Sequence, residues 1–592
     1  MQVEAVFPDL TSPTLELRMS RSSPGRYSLH GFAKNVYDVH AFGRDGRELA
    51  ATRPDPDGWT VDGHGGSVRI SYRIYGDRVD GTYLGIDETH AHINMPAAIM
   101  WAHGLDDRPA TLDFDPPAGT AWQVATQLRG SGLHFTAPNL QYLMDSPAEF
   151  GAFSMRTFSL GSSTFRFALH HTGTDAEFDS FVRDVEKIVR QEDAVYGEYP
   201  AYEPGSYTFL ADYLPWASGD GMEHRNSTVM TSSRSIASSR IGLLDTVAHE
   251  FFHGWNVERI RPQGLEPFDF DRANLTDSLW LAEGFTEYYG GLILQRAGLT
   301  DLSRFARTVS GFVDSVTNDP GRSVRSAVEM SHMAPFIDGG LTIDRPNWTN
   351  TVISYYTFGG AIALALDLSL RERSGGTRSL DGFMRAMWQR FGKPGGAREG
   401  YVDRPYSIAD AESTLAQVSG DRAFAREFFS MYIEGRDVAD YRRLLATAGF
   451  AVRKRFPGAA WMGNIRLESR NGSRVADLIV PGSPAYGAGL ERDDELRQID
   501  GRSVRSDDDV AAVLQRHHPG DSIAVIFANR TGLARTAAVT LVENPELEVV
   551  PVESTGGTLT AAERSLRQSW LTSRAPSTNG RPADAQRVEG GR

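Results

Sequence analysis

The 592-residue chain contains no cysteine, which excludes disulfide bonds, thiolate metal ligands and a cysteine nucleophile. Any zinc site must therefore use His, Asp and Glu side chains. No apolar run approaches the roughly 18 residues that a membrane-spanning helix requires. Basic residues are in the minority, and the net charge of −15 argues against nucleic acid and anionic membranes as main partners. Both of those partners require concentrated Lys and Arg.

The N-terminal sequence MQVEAVFPDL also lacks the basic and apolar segments of a secretory signal peptide. A cytoplasmic protein has this kind of start. A periplasmic or secreted protein would have it only if a signal peptide had been replaced by the initiator Met. The sequence leaves the compartment open between these two.

The length predicts several domains, at roughly 100–200 residues each. Residues 1–165 contain short alternating stretches, TLELRMS, GRYSLHGF and GSVRISYRIYG, that predict a β domain. In residues 166–450, AEFDSFVRDVEKIVRQE predicts a helix and GSYTFLADYL a strand, and helices dominate from Ser238 onward, including AIALALDLSLRER. The pattern is that of a multidomain α+β protein.

Two further segments follow. Residues 451–548 contain short strands, Gly-rich turns and the helical stretch SDDDVAAVLQRH. Residues 549–592 form a tail that is rich in Ser, Thr, Gly, Pro and Arg beyond residue 553, and we expect it to be disordered from about residue 575.

The stretch VAHEFFHGWN, residues 247–256, contains the pattern H-E-x-x-H. Residues i and i+4 of a helix project from the same face, so His249 and His253 can bind one metal ion. Glu250 is angled towards a water on that metal, as a general base is, and not towards the metal itself. The alternative is a core helix with two hydrogen-bonded histidines, but the combined His, Glu and apolar pattern favours the metal site.

A catalytic zinc requires a third protein ligand and one open position. SLWLAEGFTEYYGGLI offers two candidates, Glu283 and Glu287, one helical turn apart. H-E-x-x-H followed by W-L-x-E-G-F resembles the gluzincin metallopeptidases, and HEFFHGWNVERIRP and LWLAEGFTEYY are closest to the glycyl aminopeptidase family with a C-terminal PDZ domain. The resemblance extends to about residue 548. It implies a thermolysin-like catalytic domain at 166–450, one Zn²⁺ per chain and Glu283 as the third ligand. Glu287 then orients a histidine or is a solvated surface charge.

The same resemblance suggests two further site segments. ISYYTFGGAIALAL is similar to the family segment Y-x-K-G, whose Tyr donates to the oxyanion, and this points to Tyr356, with Tyr355 adjacent. The usual Lys is Phe358 here. SGDGMEHRNST resembles the exopeptidase motif G-x-M-E-N, which implies Glu223 as the anchor for a substrate's α-amino group. His224 stands where the family has Asn, and we expect His224 and Tyr355 to contribute to substrate binding together with Glu223.

Outside these motifs, His90 and His92 in DETHAHINMP share one face of a predicted strand. A metal site would need a third ligand, and the sequence shows none. Packing or hydrogen bonding is therefore the favoured role.

The stretch from WMGNIRLESRNG to DDELRQIDGRSVRS, residues 461–506, resembles a bacterial PDZ domain, which implies such a domain at residues 451–548. Such domains add an extended peptide to a sheet edge and often bind a C-terminal carboxylate, here nearest Trp461–Asn464. The resemblance implies peptide or protein C-termini as partners. A module that only packs on the catalytic domain is the alternative.

The sequence thus predicts a zinc aminopeptidase, which by resemblance would favour small N-terminal residues such as Gly or Ala. Two alternatives remain open. One is a zinc endopeptidase to which the PDZ domain recruits substrates. The other is a catalytically silent peptide-binding scaffold, which has no reason to retain the base Glu250.

Overall fold

A computed structural model describes residues 1–338, 347–469 and 472–576. The N-terminal part is built from short strands that end at Gly, Pro and Asp turns, as the alternating pattern predicts. Its elements are β1 Gln2–Phe7, β2 Thr14–Arg18, β3 Val36–Gly43, β4 Glu48–Leu49, β5 Ala51–Asp55, β6 Gly58–Asp62, β7 Val68–Ile74, β8 Leu84–Ile86, β9 His90–Ile93, α1 Met95–Ala98, β10 Trp101–Ala102, β11 Ala110–Asp113, β12 Gln123–Thr126, β13 Arg129–Ser131, β14 His134–Ala137, α2 Leu140–Met144 and β15 Ala148–Gly151. They pair in sheets of order β1-β7-β3-β4, β10-β2-β6-β5, β11-β14-β13 and β12-β15-β9-β8.

One predicted strand in this domain is wrong. GRYSLHGF is a loop between β2 and a short 3-10 helix that begins at Phe32. The backbone N–H of Tyr27 donates to Asp338 and the Arg26 side chain pairs with Asp220. Contacts with distant residues therefore replace the ladder hydrogen bonds that an alternating segment would otherwise form.

The middle of the chain consists of one sheet followed by helices. Its elements are β16 Ser154–Leu160, β17 Ser163–His171, α3 Asp175–Tyr196, β18 Ser206–Tyr213, β19 Asp220–His224, β20 Ser227–Ser232, α4 Ile236–Phe252, α5 Leu279–Ala282, α6 Gly284–Arg296, α7 Leu302–Asn318, α8 Gly321–Val324, α9 Ala327–His332, α10 Ala334–Ile337, α11 Tyr355–Ser374, α12 Leu380–Met387, α13 Ile408–Ser419, α14 Arg422–Phe428 and α15 Tyr441–Ala446. The strand order is β16-β17-β18-β20-β19. This sheet therefore begins at Ser154, before the boundary expected at residue 165.

The two faces of this sheet have different neighbours, because alternate residues of a strand point to opposite sides. Phe209 and Met230 face the helices and join the large core that includes α3, α4 and α6. Leu210 and Val229 face the other way and pack against Ala125 of β12 in the N-terminal domain. The sheet of β16–β20, which belongs to the predicted catalytic domain and is termed the catalytic sheet, is thus covered by helices on one face and by the N-terminal domain on the other.

The C-terminal part contains β21 Phe450–Lys454, β22 Ala460–Trp461, β23 Leu467–Ser469, β24 Ser473–Val475, α16 Pro484–Gly487, β25 Glu495–Ile499, β26 Arg502–Ser503, α17 Asp507–Leu514, β27 Ser522–Ala528, β28 Ala534–Thr540, β29 Val542–Glu543, β30 Leu547–Pro551 and α18 Ala561–Leu571. Strands β23 to β28 form the sheet of the small domain, and β21 pairs with β30 where the chain enters and leaves it.

The tail is more ordered than its composition suggests. Helix α18 begins with a capping box at Thr560 and Glu563 and buries Trp570 completely. The Trp570 indole N–H donates to the Tyr288 hydroxyl at 2.7 Å. The segment through residue 576 therefore packs on the helical core, and the disorder predicted from about residue 575 falls almost wholly on residues 577–592, which lie outside the described residues. Among the described residues, no helix has the length and apolar character to span a membrane.

Candidate active site

Helix α4 carries the H-E-x-x-H pattern at its C-terminal end. A capping box at Ser235 and Ser238 begins the helix, and His253 is its C-cap residue, still in right-handed helical conformation. The apolar side chains that share this helix, Leu244, Val247 and Phe251, are fully buried. This burial anchors the helix, so that the two histidines are presented from a rigid surface.

Glu283 lies opposite the two histidines, at the junction of α5 and α6. Its Oε2 atom is 3.4 Å from His249 Nε2 and 3.2 Å from His253 Nε2. Two ligands of a tetrahedral zinc ion, with bonds of about 2.0–2.1 Å, are about 3.4 Å apart. The three side chains therefore have the donor atoms and the spacing that a tetrahedral metal ion requires.

The other nitrogen of each histidine is already engaged. His249 Nδ1 is 3.3 Å from Glu287 Oε2, and His253 Nδ1 is 2.6 Å from the Asn256 carbonyl oxygen. A proton on Nδ1 satisfies these acceptors and leaves the Nε2 lone pair free for a metal. This geometry fits a divalent cation, and Glu287 lies beside His249.

Glu250 points into a confined space beside this group. Its Oε2 atom is buried and has no hydrogen-bond partner among the residues that the structure describes. A Cβ atom at Gly221 would lie only 2.0 Å from Glu250 Oε1, so the β19 backbone passes directly against the carboxylate. Burial raises the pKa of Glu250, although His249 and His253 oppose the shift. The carboxylate is positioned to accept a proton.

Strand β19 carries the predicted substrate residues. Glu223 is 5% exposed, and its carboxylate lies within 4.8 Å of ligand atoms of both Glu250 and His253. His224 follows on the opposite face of the strand, where its Nδ1 is 2.9 Å from Asp145 Oδ1. The structure thus brings Glu223 into the cluster, whereas His224 contacts the N-terminal domain.

The two adjacent tyrosines begin helix α11 and have different environments. The Tyr356 ring centroid is 5.9 Å from that of His249. Tyr355 is 2% exposed and its ring lies edge-on to Tyr27, 6.2 Å away. Of the pair, Tyr356 is the one whose ring faces a candidate metal ligand.

Two glycines set the distance between Tyr356 and Glu283. A Cβ atom at Gly284 would lie 2.3 Å from the Gly359 Cα atom, and one at Gly359 would lie 2.2 Å from the Trp280 carbonyl oxygen. Helices α6 and α11 therefore touch backbone to backbone. The glycines of the E-G-F and Y-x-x-G segments have this packing role.

The N-terminal domain supplies a residue that the sequence did not identify. The Tyr27 hydroxyl donates to Glu283 Oε1, while Glu283 Oε2 faces the two histidines. Burial raises the pKa of Tyr27 well above its usual range, so the hydroxyl stays protonated and can donate. Tyr27 lies in the loop predicted as a strand, and no motif marks it.

Three family models match the chain. Residues 1–152 match the Peptidase M61 N-terminal domain, residues 242–362 match M61 glycyl aminopeptidase, and residues 475–529 match a PDZ domain. The comparison with curated proteins gives no match.

Solved structures give the fold. The chain is similar to a crystal structure of an aminopeptidase N family protein from Idiomarina loihiensis, with 23% identity, a TM-score of 0.83, and coverage of 96% of this chain and 97% of that chain. A more distant likeness, with 15% identity and a TM-score of 0.42, is to an M1 zinc metallopeptidase from Deinococcus radiodurans bound to a Tyr-Ser-Ala substrate, covering 72% of this chain and 87% of that one. The chain thus matches the N-terminal and glycyl aminopeptidase domains of M61 peptidases and a PDZ domain in succession, and it is a metallopeptidase.

Proposed function

We propose that this protein is a zinc-dependent aminopeptidase that removes small N-terminal residues, Gly or Ala, from peptides. The observation that carries the proposal is the grouping of Glu223, Glu250 and His253, whose ligand atoms lie within 4.8 Å of one another. An acidic group thus stands beside the predicted base and one predicted metal ligand. The family supports the reaction class and the preference for small residues.

His249, His253 and Glu283 would hold one zinc ion. When bound, zinc supplies a Lewis acid that makes water acidic near neutral pH and polarises a carbonyl oxygen. Glu287 and the Asn256 carbonyl oxygen fix the tautomers of the two histidines, and Tyr27 fixes Glu283. These partners keep the donor atoms aimed at one point.

Glu250 acts as the general base in this proposal. Its free Oε2 atom accepts a proton from the attacking water and later returns that proton to the leaving amine. Its raised pKa favours this exchange, because a base that binds its proton more tightly is a better acceptor. Because residue 221 is glycine and has no Cβ atom, the Glu250 carboxylate can occupy this position without a clash.

Tyr356 donates a hydrogen bond to the negative charge that develops on the carbonyl oxygen. Burial raises the pKa of its phenol well above the usual range, so the proton is retained for donation. Its ring beside His249 supports this assignment over Tyr355, which is held against Tyr27.

The proposed exopeptidase activity depends on Glu223, which would bind the α-amino group of the substrate. Burial, together with the neighbouring Glu283 and Glu250, raises the pKa of Glu223 well above its usual range. A substrate's ammonium group would pair with this carboxylate and relieve the cost of burying a charge. A blocked amine offers no such charge.

The test compares alanyl and acetyl-alanyl peptides of the same sequence, with wild-type protein and Glu223→Gln. We expect acetylated peptides to be poor substrates of the wild type. Glu223→Gln should raise KM for the free-amine peptide by about 10–100-fold, consistent with roughly 1.5–3 kcal/mol for a charge-assisted hydrogen bond. The acetylated peptide is the internal control, since its rate should change little.

Equal wild-type rates on the two peptides would instead support the endopeptidase alternative. Zinc content measured on both proteins separates a lost anchor from a lost metal. Residue preference is tested separately with glycyl, alanyl and leucyl substrates, and faster hydrolysis of the leucyl substrate would contradict the proposed preference for small residues.

A further inference from the structure

A group of His, Asp and Glu side chains is buried where the N-terminal domain covers the catalytic sheet. His90 and His92 lie on β9, and Glu149 lies opposite His92 on the paired strand β15. His170 on β17 and Asp212 on β18 are register partners in the catalytic sheet. The five side chains meet across the interface between the two domains.

Several polar atoms of this group have no hydrogen-bond partner. Both carboxylate oxygens of Asp212, Nε2 of His90 and Nδ1 of His170 are buried and unpartnered among the described residues. Asp212 is 0% exposed and His90 is 2% exposed. Polar groups that stay unsatisfied in a protein interior destabilise the fold. Their arrangement therefore calls for a ligand.

The distances fit a metal ion better than direct hydrogen bonds. His90 Nε2 is 3.6 Å from Asp212 Oδ2, and His170 Nδ1 is 3.8 Å from Asp212 Oδ1. A direct hydrogen bond would need about 2.7–3.2 Å. Ligand atoms of these three residues all lie within 4.8 Å of one another, so the three donors surround one small space.

The neighbours of His90 hold its ring in an orientation suited to binding a metal ion through Nε2. Its Nδ1 atom is 3.2 Å from Asp87 Oδ1 and 3.1 Å from the Thr89 hydroxyl. A proton on Nδ1 bonds to the Asp87 carboxylate and leaves the Nε2 lone pair directed at Asp212. Carboxylate–histidine–metal arrangements of this kind orient ligands in known metal sites.

A further donor is available from the neighbouring pair. His92 Nδ1 is 2.6 Å from Glu149 Oε1, and the ligand atoms of His92, Glu149 and Asp212 also lie within 4.8 Å of one another. The His92 Nε2 atom is buried and has no hydrogen-bond partner within the described part of the chain. The His170 side chain is 16% exposed, so this group lies near the protein surface.

We propose that His90, His170 and Asp212 bind a second divalent first-row transition-metal ion, which joins the N-terminal β domain to the catalytic sheet. Two imidazoles and a carboxylate are ligands that zinc and its neighbours prefer, whereas Ca²⁺ and Mg²⁺ prefer oxygen alone. Asp212 faces the N-terminal domain with Leu210, whereas Gly221 and Glu223 lie on the helix side of the same sheet. The two sites share no residue and lie on opposite faces.

The experiment counts zinc in the full chain by elemental analysis after equilibration with micromolar free zinc and gel filtration. The variants are His249→Ala/His253→Ala, which removes the catalytic ligands, and His90→Asn/His170→Asn. The matched control is His64→Asn, another buried histidine of the N-terminal domain. We expect two equivalents in the wild type and control, and one in each double variant.

Cobalt provides a second readout. Co²⁺ added to His249→Ala/His253→Ala should give a visible absorption band from the remaining site, and zinc should raise the Tm of that variant, because a ligand that binds only the folded state stabilises it. These measurements do not require the His90→Asn/His170→Asn protein to fold. One zinc equivalent in the wild type, with none and no Tm shift in the catalytic-ligand variant, would overturn the proposal. Failure of the peptidase assays would not affect this outcome.

Discussion

Gly221→Ala tests how closely the catalytic base is held. An added Cβ atom would lie 2.0 Å from Glu250 Oε1 and 2.6 Å from its Cδ atom. Ordinary van der Waals contact begins near 3.4 Å, so the carboxylate must move by about 1.4 Å, the difference between 3.4 and 2.0 Å. Gly221 is not in the left-handed region of backbone conformation, so the substitution strains only this contact.

Gly221→Ala should lower kcat strongly and change the free energy of unfolding only slightly. The clashing atoms are the far end of a flexible side chain, which can turn away without moving the backbone, so we expect a change of about 1 kcal/mol or less in the free energy of unfolding. A base misplaced by roughly 1 Å can lose about 10²-fold in rate. We therefore expect kcat to fall by about 10²-fold, with zinc content and Tm close to wild type.

The assay measures kcat and KM on an alanyl peptide, zinc content and Tm. Gly219→Ala is the matched control, because a Cβ atom there meets nothing within 4 Å. In a Glu250→Gln background, Gly221→Ala should add little further loss, since both changes act on the same group. Wild-type kcat for Gly221→Ala, or a full additional 10²-fold loss in the Glu250→Gln background, would refute the reasoning.

Three other substitutions test separate parts of the site. Glu250→Gln should retain zinc but lower kcat by at least about 10²-fold, because the amide removes the proton acceptor and leaves the metal ligands intact. A zinc-loaded variant with normal turnover would disprove the assignment of Glu250 as the base. Tyr356→Phe should lower kcat by about 10²–10³-fold with little change in KM, as the loss of one oxyanion donor does. If Tyr355→Phe shows this pattern and Tyr356→Phe does not, Tyr355 is the oxyanion donor. Tyr27→Phe removes the hydrogen bond to Glu283 and should weaken zinc binding by about 10–100-fold in a chelator competition; an unchanged affinity would show that Tyr27 only packs there.

The local sequence determines the parts of the site that lie within one helical turn. His249 and His253 share a face because residues i and i+4 of a helix always do, and the apolar residues between them bury the other side. The third ligand, Glu283, is implied by the resemblance of the E-G-F motif to the gluzincin pattern, since spacing alone does not identify it. The structure gives the reason for that motif, because Gly284 must meet the Gly359 backbone.

Other residues could not be found from the sequence, since nothing local distinguishes them. Tyr27 contacts Glu283, 256 positions further along the chain, only because the N-terminal domain covers the catalytic sheet. Its segment alternates like a strand, but its polar groups bond to the catalytic domain. Helix α18 was likewise missed, because its short apolar face is stabilised by packing against the helical core.

For His90 and His92 of β9, too, the sequence determines one part of the arrangement and the tertiary structure determines the rest. The sequence places His90 and His92 on one strand face, because side chains two apart in a strand point the same way. It shows no third ligand, since His170 and Asp212 belong to strands 80 and 122 residues away from His90, counted as 170 − 90 and 212 − 90. Only the parallel register of β17 and β18, and the docking of the N-terminal domain on that face, bring the donor atoms together. Periodicity fixes which side chains share a face, whereas the packing of distant elements decides what those faces meet.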